Sequence, residues 1–117
     1  MVELARLQYV DQVIELYRLM PGTRSPVRRS DRTLAAELFD RAVPLTLVSA
    51  ALMLAVARRT FRRGEPLPPI SSLHYIRPII DELLAEPPSP EYSTLLAYKL
   101  RPIAPNFIAA ITDHQLS

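Results

Sequence analysis

The sequence contains no cysteine and no tryptophan, and only two of its 117 residues are glycine. Without cysteine the chain cannot form a disulfide, a thiolate zinc site, an iron–sulfur cluster or a cysteine nucleophile. Gly22 and Gly64 are too few and too far apart for a glycine-rich phosphate-binding loop. Because the absence of cysteine fits a reducing compartment, we expect a cytoplasmic protein.

Membrane signals are also missing. The longest uncharged stretch, residues 42–57, has 16 residues, which is short of the roughly 20 that cross a bilayer. Four arginines follow it closely, which leaves an interfacial helix as an alternative. The N-terminal residues carry no basic segment before an apolar stretch, so neither a secretory signal nor a membrane partner is expected.

Catalytic motifs are absent as well. The two histidines, His74 and His114, do not have a metal-binding spacing, and no GxSxG sequence occurs. Asp81 and Glu82 are adjacent, so on a helix they point to different faces and do not form a carboxylate pair. We therefore expect a protein that is not an enzyme and that needs no cofactor or metal.

Proline, by contrast, is frequent, with 12 residues. Since proline interrupts helices and strands, the spans that lack it are where regular structure forms. Apolar residues recur in those spans at steps of three and four, without sustained alternation of apolar and polar residues. This periodicity predicts an all-α fold.

The pattern predicts a single compact bundle of about five helices in residues 1–101. We expect these helices at about residues 3–20, 31–42, 45–62, 71–85 and 90–100. The third is apolar nearly all round, which is typical of a central helix. Pro78 predicts a kink or a late start in the fourth. Residues 102–117 are expected to form a C-terminal tail or a short docking helix.

Residues 34–52 form a short helix, a tight turn and a longer helix. This layout fits the helix-turn-helix motif, with Ala42 at the turn and Val48 buried in the second helix. The early face of that second helix offers only Thr46 and Ser49 as polar side chains. An ordinary corner between two bundle helices explains the same pattern, so both interpretations stay open.

Positive charge is concentrated in the middle of the chain, although the net charge is only +2. Residues 18–63 hold ten arginines and three acidic residues, and both flanking segments are acidic. The whole chain has 13 arginines and one lysine. Guanidinium groups match phosphate bidentately, which favours a phosphate-binding role. A GC-rich coding sequence enriches arginine, proline and alanine together and explains the same composition.

Two arginine clusters are the candidate nucleic-acid-binding residues. One lies in the loop before the second helix and at its start, and the other lies at the end of the third helix. Their members are Arg24, Arg28, Arg29 and Arg32, followed by Arg58, Arg59, Arg62 and Arg63. The alternative is a solvated loop and a set of cations that complement the dipole at the end of a helix.

Residues 47–59 followed by residues 67–76 resemble the helical DnaD-like domains of bacterial replication-initiation and primosome proteins. In those domains a helix with a basic end is followed by a linker and a helix with a Ser/aliphatic/Tyr opening. The matching residues here are Ser72, Leu73, Tyr75 and Ile76. The chain is also similar to small helical proteins carried beside replication or transposition genes on bacterial mobile elements. The resemblance implies DNA binding and replication partners, without catalysis.

The leading hypothesis from the sequence is a non-enzymatic helical protein that binds DNA or RNA through its arginines. It could serve as an accessory in DNA replication or in mobile-element processes. The alternative is a protein-interaction subunit or adaptor, either a homo-oligomer or part of a nucleoprotein complex. Its motivation is the apolar third helix and the apolar C-terminal residues, which together could exceed what one small bundle buries.

Overall fold

Helices dominate the computed structural model, which describes residues 2–24 and 26–116, with side chains as far as Asp113. Met1, Ser25 and Ser117, which belong to the domain and tail expected from the sequence, lie outside the described residues. The elements are α1 (Val2–Leu19), α2 (Arg29–Asp40), α3 (Leu45–Thr60), a 3-10 turn (Leu73–Ile76), α4 (Arg77–Ala85), α5 (Pro90–Leu100) and α6 (Pro105–Leu116).

This architecture confirms the all-α prediction. Helices make up 71% of the residues, and the described part of the chain contains no strand. The helix count is six, against the expected five or so. The radius of gyration is 13.6 Å, close to the roughly 13 Å of a compact domain of this length. None of the described helices combines the length and apolar character needed to cross a membrane.

Helix α3 lies at the centre of the bundle, as its sequence predicts. Every residue from 48 to 57 is buried, and the helix packs against α1, α4, α5 and the 3-10 turn. Helix α6 packs against α1 and α5, and its Phe107, Ile108 and Ile111 belong to the same core. The apolar residues among positions 48–57 of the third helix and Phe107, Ile108 and Ile111 of the C-terminal segment are therefore buried within one chain.

Pro78 explains why the fourth helix begins later than residue 71. A proline has no N–H to donate inside a helix but fits well in the first turn. The chain accordingly forms a 3-10 turn over Leu73–Ile76, and α4 begins at Arg77 with Pro78 in its first turn. The Ser72 hydroxyl accepts a hydrogen bond from the N–H of His74 and so caps the 3-10 turn.

The first two turns of α1 lie beside the C-terminal end of α2 but are largely exposed. The sequence places Leu4 and Leu7 on the same apolar stripe as Val10 and Ile14, but they are 60% and 51% exposed. Val10 is the first buried residue of α1. Helical periodicity identifies a stripe but does not show how much of it another element covers.

At the corner between α2 and α3, Ala42 lies in the short turn that separates the two helices. Ala42 adopts a φ of 59°, a left-handed conformation that is rare for a residue other than glycine. Val48 is fully buried. However, Ser49 is buried as well, so Thr46 is the exposed polar residue left from the pair expected on the early face of α3.

Candidate functional site

The loop after α1 lies against the linker that follows α3. Thr23 and Ile70 form a parallel bridge, in which the N–H of Ile70 donates to the Gly22 carbonyl at 2.7 Å and the N–H of Arg24 donates to the Ile70 carbonyl at 3.2 Å. Gly22 has a φ of +88°, and a Cβ there would lie 3.5 Å from Nε of Arg59. The fold thus brings the loop of Arg24 beside the C-terminal end of α3.

Arg59 is the arginine held most firmly by neutral groups. It donates a hydrogen bond to the Pro68 carbonyl at 2.6 Å and another to the Tyr75 hydroxyl at 3.4 Å. Its guanidinium carbon lies 5.4 Å from the centroid of the Tyr75 ring, a cation–π distance. These contacts fix the orientation of the guanidinium without neutralising its charge.

Arg62 and Arg63 follow α3 directly and are exposed. Arg62 donates to the carbonyl of Glu65, and within the described residues neither side chain has an ion pair with a carboxylate. Arg24 is likewise exposed and unpaired in that part of the chain. We call the set formed by Arg24, Arg59, Arg62 and Arg63 the basic face.

Two of the eight predicted arginines are bound to carboxylates. Arg58 donates to both oxygens of Glu82, at 3.0 Å and 2.6 Å, and Arg32 donates to Asp11 at 2.9 Å. Arg58 therefore turns toward α4, and Arg32 turns toward α1. Most of the charge that either could offer to a phosphate is balanced within the protein.

Arg28 and Arg29 lie at the N-terminal end of α2. Arg28 is the N-cap residue and is exposed. Arg29 and Arg32 line a groove between α1 and α2, which also contains Glu3 and Glu37. Because this groove mixes both signs of charge, it is a weaker site for a polyanion than the basic face.

Asp31 connects the start of α2 with the segment that precedes Tyr75. Its carboxylate is fully buried and bridges two segments. One oxygen accepts the N–H of Arg28 at 2.9 Å, and the other accepts the N–H of Leu73 at 2.9 Å and the hydroxyl of Ser72 at 3.2 Å. It thus fixes the start of α2 against the segment that carries Tyr75.

A cleft beside the basic face contains residues that sequence reasoning missed. It is lined by Phe61, Tyr98, Lys99, Arg101 and Pro102 and has a volume of about 740 Å³. Phe61 lies between two pairs of arginines in the sequence, and this position could have indicated an aromatic residue at a positively charged site. The other residues belong to a segment of net negative charge, and only the packing of α5 on α3 brings them to the cleft.

Metal-binding and titrating groups add little to this site. The described residues hold no cluster of three or more His, Asp or Glu side chains that could bind a metal ion. The hydrogen bond from Arg58 lowers the pKa of Glu82, and the hydrogen bond from Arg6 lowers that of Asp40. Burial raises the pKa of Tyr9 to about 12, so this phenol stays protonated near neutral pH.

The Arg58–Glu82 pair predicts a small acid-dependent loss of stability. Because the pKa of Glu82 is lower in the folded protein than in the unfolded chain, its contribution is complete above about pH 5 and is lost as the pH falls through the folded value. Glu82→Gln should therefore flatten the melting temperature profile between about pH 5 and pH 3. Glu91→Gln, which alters an exposed carboxylate outside the ion pairs described above, should leave the profile unchanged. Equal profiles for Glu82→Gln and the parent chain would contradict this role.

Comparisons with protein-family models, curated proteins and solved structures found no match to this chain.

Proposed function

We propose that this chain binds nucleic acid through the basic face and does not catalyse a reaction on it. The observation that carries the proposal is the basic face, in which Arg59 is half-buried and the other three arginines are exposed, and which has no carboxylate partner among the described residues. Guanidinium groups hold phosphate oxygens with paired hydrogen bonds, and backbone phosphates need no sequence-specific reader.

The proposal uses the eight predicted arginines unequally. Arg59 contributes a charge held in place by Pro68 and Tyr75, while Arg62 and Arg63 can adapt to the ligand. Arg28 and Arg29 are exposed at α2 and can make further contacts. Arg32 and Arg58 contribute less, because each must first give up a carboxylate.

We place the nucleic acid at the end of α3 and not along its early turns. A recognition helix in a helix-turn-helix protein presents polar side chains to the groove, whereas residues 48–57 of α3 are buried. The corner between α2 and α3 then serves to connect two packed helices. The resemblance of residues 47–59 and 67–76 to DnaD-like domains supports a role as a bacterial, cytoplasmic accessory in replication or mobile-element processes.

Equilibrium binding at low salt tests this proposal. The probes are fluorescein-labelled single- and double-stranded oligonucleotides, both DNA and RNA, of about two helical turns. We expect a saturable rise in anisotropy with at least one of them, because the basic face attracts any phosphate backbone. Failure of all the probes to bind at low salt would overturn the proposal.

An interface with another protein is the second candidate function. A groove of about 930 Å³ is lined mainly by apolar residues from α3, α4, α5, α6 and the segment between α4 and α5, including Leu47, Leu84, Pro87, Pro88 and Ala97. The exposed Leu4 and Leu7 on α1 add apolar surface elsewhere. Light scattering tests self-association: a dimer would favour this candidate, and a strict monomer that retains no partner in a pull-down would count against it.

A further inference from the structure

The cleft between the ends of α3 and α5 combines two aromatic walls with two cations. Phe61 is 56% exposed and Tyr98 is 70% exposed, although phenylalanine is among the residues most often buried in a fold. Lys99 and Arg101 line the same cleft, and the described residues of its lining include no carboxylate. Flat aromatic faces next to positive charge suit a planar ring that carries a negative group.

The two cations of the cleft, Lys99 and Arg101, have no ion-pair partner among the described residues and can bind an anion. No acidic residue stands three or four positions before either of them on α5, so no helical neighbour competes for their charge. Arg62 and Arg63 follow Phe61 directly and extend the positive surface beyond the cleft.

Helix dipoles act against an anion here, and the cations outweigh them. Phe61 and Arg101 are the C-cap residues of α3 and α5, and each helix end carries about half a negative charge. Four full positive charges from Arg62, Arg63, Lys99 and Arg101 exceed that. Exposed carbonyls at a helix end also accept hydrogen bonds, and the amino groups of nucleobases can donate them.

We propose that this cleft binds an unpaired nucleobase between Phe61 and Tyr98, so that the chain prefers single-stranded nucleic acid. The inference rests on the proposed function and adds the class of its ligand. Aromatic side chains on a positively charged surface are how many proteins hold single strands, because every base has a stacking face. A base inside a duplex is paired and stacked, so it cannot enter such a cleft without being extruded.

A nucleobase with a phosphate could come from a strand or from a free nucleotide. The basic face continues from the cleft through Arg62 and Arg63 to Arg59, which is more positive charge than one nucleotide needs. A strand can place its successive phosphates along that path. We therefore assign the cleft to a strand, and a mononucleotide becomes a separate arm of the test.

The double variant Phe61→Leu, Tyr98→Leu tests the stacking contribution. Leucine keeps an apolar side chain at both exposed positions but removes the aromatic faces. We expect affinity for a single-stranded oligonucleotide to fall about tenfold or more, because stacking dominates this contact. Affinity for a duplex should stay within about twofold, and the salt dependence should not change, since no charge is altered. Tyr92→Leu, at an exposed aromatic outside the lining of the cleft, is the matched control and should bind as the parent does.

The absence of tryptophan permits a direct optical measurement. A Phe61→Trp variant would carry one tryptophan, at the wall of the cleft. Stacking with a base should quench its fluorescence when a single strand is added, and a duplex should leave it unchanged. Thermal unfolding of each variant would establish that it folds before binding is compared.

The outcomes separate this inference from the function on which it rests. If the leucine variant keeps its affinity for single strands while arginine variants lose theirs, the cleft proposal is overturned and the proposed function stands. A parent chain that prefers duplex, or that binds adenosine monophosphate as tightly as an oligonucleotide, would also overturn it. Selective loss of single-strand binding, together with tryptophan quenching, would support it.

Discussion

Replacing Asp31 with alanine should lower the free energy of unfolding by roughly 3–5 kcal/mol, a large share of the roughly 5–15 kcal/mol typical of a domain. The carboxylate is fully buried and accepts hydrogen bonds from two backbone N–H groups and one hydroxyl. Alanine leaves these donors without their acceptor: the N–H of Leu73 is buried and the other two donors are partly buried. An unsatisfied buried donor costs about 1–3 kcal/mol, and the removed partner is a charged group, whose hydrogen bonds are stronger than neutral ones. The start of α2 and the segment of Tyr75 would lose the group that joins them.

Urea denaturation followed by circular dichroism measures this effect. Asp31→Asn keeps one accepting oxygen, but its amide nitrogen faces a donor. It should therefore lower the free energy of unfolding by roughly half as much as Asp31→Ala. Asp81→Ala is the surface control. Within the described residues Asp81 makes an exposed ion pair of 3.6 Å with Arg41, so its replacement should lower the free energy of unfolding by less than about 1 kcal/mol. A similar small loss for Asp31→Ala and Asp81→Ala would contradict the bridging role.

Replacing Arg24, Arg62 and Arg63 together with glutamine should weaken nucleic-acid binding about 100-fold at about 0.1 M salt. Each phosphate contact removed also lowers the slope of log affinity against log salt by about 1, so the slope should fall by about 3. All three residues are exposed, and the structure gives none of them a carboxylate partner among the described residues. The fold should therefore be retained.

A matched triple variant separates the basic face from net charge. Arg6, Arg18 and Arg77 are exposed arginines on α1 and α4 that form ion pairs, and their replacement with glutamine changes the net charge equally. We expect that variant to lose only a few-fold in affinity. Equal losses for the two variants would mean that binding follows overall charge and that the basic face has no special role.

The helices could be predicted because local signals set them. Prolines mark their limits, and the Ser89–Pro90 pair starts α5, where the Ser89 hydroxyl accepts the N–H of Tyr92 as an N-cap should. The exposure of individual apolar side chains was harder to predict. Leu4 and Leu7 follow the apolar periodicity, yet they are 60% and 51% exposed, because the part of a helix face that a neighbour covers depends on how the helices pack.

The candidate site was only partly visible in the sequence. The arginines could be found by counting, but pairing depends on tertiary contacts: Arg58 meets Glu82 across 24 positions, and Arg32 meets Asp11 across 21. The proximity of the Arg24 loop to Arg59 arises from the bridge between Thr23 and Ile70. Lys99 and Arg101 could not be predicted as site residues, because their segment is acidic overall and because they line the cleft with Phe61 only in the folded chain.

The salt dependence of binding tests the central claim most directly. Six cations, the basic face together with Lys99 and Arg101, should neutralise about six phosphates, which gives a log–log slope between about −4 for a single strand and −5 for a duplex. The measurement is anisotropy of a labelled oligonucleotide at several salt concentrations from about 0.05 to 0.3 M. We predict a straight line with that slope. Affinity that does not change with salt, or no binding at the lowest concentration, would contradict the account.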